Sequence, residues 1–194
     1  MRKLIASTMV SLDGVMQAPG GPEEDPTCGF AWGGWSFNYW DDAMGRSMNG
    51  LDGKDRDLVL GRRTYEIFAA TWPSLSGQLP YIDKLNSMAK HVASTTLTDL
   101  QWENSHLIEG DVADGVAKLK QQPGQDLVMY GCRNLMHTLL EHNLIDEYRI
   151  LLHPVLLGKG RNFLNDGAKR VDLDLVDTTV IPPGIAVLTY QPAR

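Results

Sequence analysis

Apolar residues along the chain switch between strand-like alternation and helical spacing, and the switches predict the order of its elements. Lys3 to Val10 is apolar and β-prone and ends at the turn-like pair Asp13-Gly14, which predicts a buried first strand. Ala18 to Trp35 then carries Pro19-Gly20-Gly21-Pro22, Pro26 and Gly33-Gly34, too many breakers for a regular element. Ser36 is expected to cap a helix through Tyr39, Trp40, Ala43, Met44 and Ser47, with Asp41 and Asp42 in its first turns. Asp57 to Leu60 reads as a short strand running into Gly61-Arg62-Arg63-Thr64. Tyr65, Phe68, Ala69 and Trp72 follow at helical spacing until Pro73 stops them.

The same alternation continues. A helix is expected from Pro80 to Met88, strands at His91 to Ser94 and His106 to Ile108, and a helix carrying Val112, Val116 and Leu119. Asp126 to Tyr130 predicts a strand that delivers the chain to Gly131, and Leu135, Met136, Leu139 and Leu140 mark one face of the next helix. The tail differs: Tyr148, Ile150 and Leu152 alternate along a strand, and two strands flank the turn Pro182-Pro183-Gly184. A βαβ series closing on a hairpin implies an α/β fold with a mixed, mostly parallel sheet flanked by helices. Ligands then belong outside the carboxyl ends of the parallel strands.

Length and charge narrow the picture. At 194 residues, one domain spanning 1–194 is expected. A formal charge of -6 offers no broad positive field for a nucleic-acid backbone, so no nucleic-acid partner is expected. Cys28 and Cys132 have neither disulfide-framework nor zinc-ligand spacing, the histidines are scattered, and no metal is expected. Ser7, Thr8, Ser11 and Asp13 interrupt the apolar start too soon for a signal peptide, and no stretch is long enough to span a bilayer. The reading is a cytoplasmic protein without a membrane partner.

Two places carry chemistry. At Gly61-Arg62-Arg63-Thr64 a strand ends in glycine and a helix begins with two arginines. Helix amides and dipole suit a phosphate there, and an arginine suits an additional ribose phosphate. The alternative is a surface helix with solvated arginines. Met129-Tyr130-Gly131-Cys132-Arg133-Asn134 repeats the logic, and two such junctions together would clasp one dinucleotide. Asp13 is read as a site acid or as an Asx-turn residue, and Asp41 and Asp42 as substrate acids or as helix N-terminal charges. The aromatic run Phe30, Trp32, Trp35, Phe37, Tyr39 and Trp40 is either a stacking lid, with Trp35 and Trp40 on the substrate, or core and subunit packing.

Four motifs in order, Ser11-Leu12-Asp13-Gly14, Gly61 to Glu66, Leu144 to Arg149 and Pro154 to Gly160, resemble the RibD C-terminal, dihydrofolate-reductase-like family over essentially the whole chain. The resemblance implies that family's three-layer fold, a homodimer and NADPH as cofactor. It places the pyrophosphate at Gly61, Thr64 and Gly131 to Asn134, and the 2′-phosphate at Arg62 with Arg63 as helper. Ser94 and Thr95 fall near the adenosine ribose phosphate, and Ala6 and Ser7 at the nicotinamide. Cys132 stands where the family pattern carries a small Gly or Ser after Gly131. The expected function is hydride transfer from NADPH to a small heterocyclic or ring-opened ribosylamino-pyrimidine-like substrate, with the proton from water, Asp13, Asp41 or Asp42. Two alternatives stand beside it: a non-catalytic nucleotide-binding protein of the same fold, and a pterin or xenobiotic reductase.

Overall fold

The computed structural model describes residues 1–40, 54–164 and 166–193. Among them, eight strands form one sheet: β1 (Leu4–Ser11), β2 (Arg56–Gly61), β3 (Lys90–Ala93), β4 (Ser105–Leu107), β5 (Asp126–Tyr130), β6 (Glu147–His153), β7 (Leu173–Ile181) and β8 (Ile185–Pro192). Four helices join them: α1 (Arg62–Thr71), α2 (Pro80–Ser87), α3 (Val112–Gln121) and α4 (Arg133–Glu141). The sheet order is β4-β3-β2-β5-β1-β6-β8-β7. Pairing is parallel from β4 through to β6 and antiparallel between β6 and β8 and between β8 and β7.

β1 lies between β5 and β6, and its eight residues are all buried, which is why it reads as one apolar run. Its side chains alternate between the two faces of the sheet. Leu4 and Ala6 join Val59, Leu127 and Met129 under α3 and α4, whereas Ile5 joins Leu58, Leu60 and Val128 under Tyr65 of α1 and Leu85 of α2. Helices therefore cover both faces and the molecule has three layers. A third cluster, Met9, Val15, Phe30, Trp35, Leu151, Ile185 and Val187, seats the long irregular segment after β1.

That segment corrects one expectation. No helix starts at Ser36: Phe37–Tyr39 makes a single 3₁₀ turn, and Trp40 leaves it in extended conformation. The Ser36 hydroxyl is spent elsewhere, donating to the Pro19 carbonyl at 2.6 Å and accepting from the Trp40 indole at 2.8 Å, so it does not cap. The rest of the expected helix, with Asp41 and Asp42, lies outside the described residues. Elsewhere the expected strands and helices form within a few residues of their anticipated ends. Among the described residues no helix is long and apolar enough to cross a membrane.

Candidate functional site

The carboxyl ends of β1, β2, β3 and β5 open on a cleft of about 1360 Å³. That is more than the roughly 300–1,000 Å³ of a typical small-molecule site and leaves room for two ligands side by side. Ser7, Thr8 and Met9 of β1 form its floor, α1 one wall, and the strap from Met16 to Asp25 the other.

Two helix starts face this space. α1 begins after Gly61 and α4 after Cys132, and neither has a side-chain cap, so their first-turn amides are left to water or a ligand. α3, whose start also borders the cleft, differs: the Asp111 carboxylate accepts from the amides of Ala113 and Asp114.

The β5–α4 junction turns through two successive left-handed residues, Gly131 at φ 63 and Cys132 at φ 58. Glycine adopts that region freely, whereas cysteine there carries a cost of roughly 1–2 kcal/mol. The cysteine side chain compensates by joining the two junctions, because its Sγ accepts from the Gly61 amide at 3.3 Å. Burial pushes the Cys132 thiol above its ordinary value, against hydrogen bonds from the Thr64 side chain and the Gly61 amide. The Gly61 amide, expected to meet a phosphate, is therefore turned to sulfur. The amide contacts remaining for an anion at this junction are those of the following turn.

The basic groups are ordered. Arg62 donates to Glu66 and, through Nη1, to the Thr96 hydroxyl, both at 2.8 Å. Arg63 pairs with Asp25 of the strap at 2.8 Å. Arg133 donates to the Asn162 carbonyl at 2.7 Å, fastening the loop after β6 to α4. Ser94 and Thr95 border the cleft, and the Ser94 hydroxyl also accepts from the amides of Thr96 and Leu97. Asn134 and Ser7 line the cleft, while Ala6 is buried below it.

Two further expected residues sit apart from the cleft lining. The Asp13 carboxylate accepts from Ser11, from the Leu157 amide and from the Gly158 amide at 2.6 Å, closing the turn after β6 onto the end of β1. The Ser11 hydroxyl and these amides lower its pKa to about 2, so it carries no proton near neutrality. Trp35 is 7% exposed and donates its indole N–H to the Gln17 carbonyl. Its size and alternating neighbours explain the misplacement: the ring fills the third core cluster, and of the pair it is Trp40 that borders the cleft, beside Tyr81.

Several lining residues escaped the sequence. Gln17 ties the Asp25 and Thr27 carbonyls to the Arg161 amide, and Arg161 pairs with Asp25 at 3.2 Å. Burial raises the Asp25 carboxyl, but Thr27, Arg63 and Arg161 more than offset it and leave it below its usual value. Glu24 goes the other way, raised by burial and by Asp25. Phe68, Trp72 and Met9 add apolar lining to the cleft. These positions depend on which strands become neighbours; the polar residues 17 and 161 carry no local signal beyond their place in breaker-rich loops.

The RibD C-terminal domain family model matches residues 2–187. The Bacillus subtilis (strain 168) protein YyaP is 27% identical over 199 residues, covering 98% of this chain and 95% of that protein. A putative riboflavin biosynthesis protein from Shewanella sp. PV-4 superposes with a TM-score of 0.68 at 22% identity, with each chain covered completely. Dihydrofolate reductase from Enterococcus faecalis, complexed with NADP(H), superposes at 0.63 with 18% identity, covering 99% of this chain and 97% of the enzyme. With its parallel sheet closed by a C-terminal hairpin and two uncapped helix starts at the carboxyl edge, the chain belongs to the RibD C-terminal domain family and has the dihydrofolate-reductase-like fold.

Proposed function

We propose that this protein is an NADPH-dependent reductase acting on the C=N or C=O carbon of a small heterocyclic or ring-opened ribosylamino-pyrimidine-like substrate. The observation that carries the reading is the pair of uncapped helix starts, α1 and α4, facing one cleft with Arg62 at the edge of the first. The donor set fits a dinucleotide diphosphate: first-turn amides for the bridging phosphates, and the Arg62 guanidinium beside Thr96 for a ribose phosphate. When bound, the reduced nicotinamide supplies the hydride.

The protein's own part is orientation and exclusion of water. Ser7 and Thr8 in the middle of β1 form the floor on which a nicotinamide would rest, and Met9, Trp40, Phe68 and Trp72 offer apolar surface to a planar substrate. Asp13 is ionised and occupied, so the proton comes from water or from Asp41 or Asp42. A homodimer fits the exposed apolar positions Leu173, Leu175, Val176 and Val180 of the edge strand β7. Light scattering at micromolar concentration checks it, and a monomer would remove that assignment.

Titration of the purified protein with NADPH and NADH, followed by substrate trials read as loss of reduced-nicotinamide absorbance, tests the proposal. Preferential NADPH binding with turnover is the expected result. Binding without turnover of any planar electrophile would favour a nucleotide-binding protein of the same fold, and failure to bind either nucleotide would overturn the reading.

A further inference from the structure

The two walls of the cleft are built very unequally. On the strap side, Gln17 donates to the Asp25 and Thr27 carbonyls at 3.0 and 3.1 Å and accepts from the Arg161 amide at 3.0 Å. The Met16 amide donates to the Arg161 carbonyl, Val15 bridges Asn162, and Arg133 holds the Asn162 carbonyl. Strap, post-β6 loop and the start of α4 are thus fastened into one body. Toward α1 the contrast is sharp: among the described residues, the Arg63–Asp25 ion pair at 2.8 Å joins strap to helix, and Glu24 adds an attraction to the same guanidinium. The floor of the cleft stays closed behind it, through the sheet and the Cys132–Gly61 hydrogen bond.

The pair is also built to be reversible. Arg63 lies in the first turn of α1, at the positive end of the helix, where a second cation beside Arg62 is unfavourable without an anion. Asp25 supplies that anion, and it is itself held in place by the Thr27 amide at 3.2 Å and by Arg161 at 3.2 Å. Arg63 is half exposed, so water and salt reach the contact.

We propose that Asp25 is a positioning residue that closes the strap over a bound nicotinamide nucleotide, its ion pair with Arg63 breaking each time the nucleotide enters or leaves. This rests on the cofactor reading given above. In that arrangement the diphosphate lies between the sheet edge and the Arg63–Asp25 span, and the strap moves with the post-β6 loop rather than alone.

The test is stopped-flow release of NADPH from the whole protein, parent against Asp25→Asn and Asp25→Glu, at low and high salt. Asparagine keeps an oxygen for the Thr27 hydrogen bonds, so the strap retains its turn. Asp25→Asn is expected to release NADPH about three- to tenfold faster than the parent and to lose most of the salt dependence, since a half-exposed ion pair is worth little more and is screened by salt. Asp25→Glu is expected to restore both slow release and salt sensitivity. Hydrogen exchange without nucleotide supplies a second readout: amides of residues 17–27 should exchange faster in Asp25→Asn. Unchanged release and exchange in Asp25→Asn, with NADPH still bound, would overturn the clasp alone. Absence of nucleotide binding by the parent would overturn the cofactor reading and the clasp with it.

Discussion

The Trp35 indole meets the His153 imidazole edge to face, with ring centroids 5.1 Å apart and planes at 88°. Tyr39 approaches the same imidazole at 5.3 Å, so the aromatic segment is anchored through a fully buried histidine on β6. Trp35→Ala is therefore expected to lower stability by about 3–5 kcal/mol, the range for emptying a buried aromatic site. Trp40→Ala, at the cleft, should leave stability within about 1 kcal/mol or so and raise the substrate KM with NADPH affinity inside a factor of about two. Urea unfolding and steady-state kinetics on both variants separate the roles; equal destabilisation would put both rings in the core.

His153 makes stability depend on pH. Burial depresses its pKa below the ordinary 6.5, against hydrogen bonds to the Leu151 and Val10 backbone. The unfolded chain takes up a proton that the folded one refuses. The stabilising contribution is fully present above 6.5 and is lost as pH falls from there through the folded value. His91, also depressed chiefly by burial, acts in the same direction. Urea midpoints measured from pH 7.5 down to 5 should fall in the parent and still fall in His91→Gln; a flat profile in that variant would remove His153 from the account.

Arg62 is expected to read the 2′-phosphate. Arg62→Ala should weaken NADPH by about 1.5–3 kcal/mol, the scale of a hydrogen bond to a charged group, with NADH little changed. Nicotinamide fluorescence titration decides it, and equal losses for both nucleotides would show that Arg62 does not discriminate.

The succession of strands and helices and both strand-to-helix junctions at the cleft were legible because they are local. An apolar run ending in glycine and followed by helical spacing says the same thing at Gly61 and at Gly131. Contacts closed over long separations were not legible. Nothing near Asp13 announces that its carboxylate will cap Leu157 and Gly158, amides 144 and 145 positions away, once β6 pairs with β1. Ser36 misled for a different reason: its hydroxyl suits a helix cap in isolation, and tertiary partners at Pro19 and Trp40 outbid that use. Cys132 departs from the family pattern in sequence, yet its role as an acceptor for the Gly61 amide needed coordinates.

The two thiols should react at different rates. Cys28 is exposed, whereas Cys132 is half-buried, hydrogen-bonded and raised in pKa by burial. Titration with a disulfide reagent near pH 8 should show one fast and one slow thiol, and Cys28→Ser should remove the fast phase. Cys132→Ala is expected to cost about 1 kcal/mol, seen as a fall in Tm of roughly 2–4 °C, because the Gly61 amide loses its acceptor. A slow phase that disappeared in Cys28→Ser would reverse the assignment.

Asp13→Asn is expected to weaken the closure of the post-β6 turn without altering the pH profile of turnover near neutrality. Its carboxyl, lowered to about 2 from 3.8 chiefly by the Ser11 hydroxyl, contributes stability above 3.8 that is lost as pH falls toward 2. A shifted neutral-pH limb of kcat in the variant would return Asp13 to the chemistry.

The unequal treatment of the helix starts gives the cleft a direction. Asp111 caps the start of α3, while the starts of α1 and α4, beside the adjacent strands β2 and β5, carry no side-chain cap. A protein with a formal charge of -6 thereby keeps a small attractive funnel for anions within a repelling surround. On the cofactor reading proposed above, an approaching diphosphate would be steered to the crevice between those strands. Its capture rate should fall as ionic strength rises, even though the molecule as a whole carries the same sign of charge as the nucleotide.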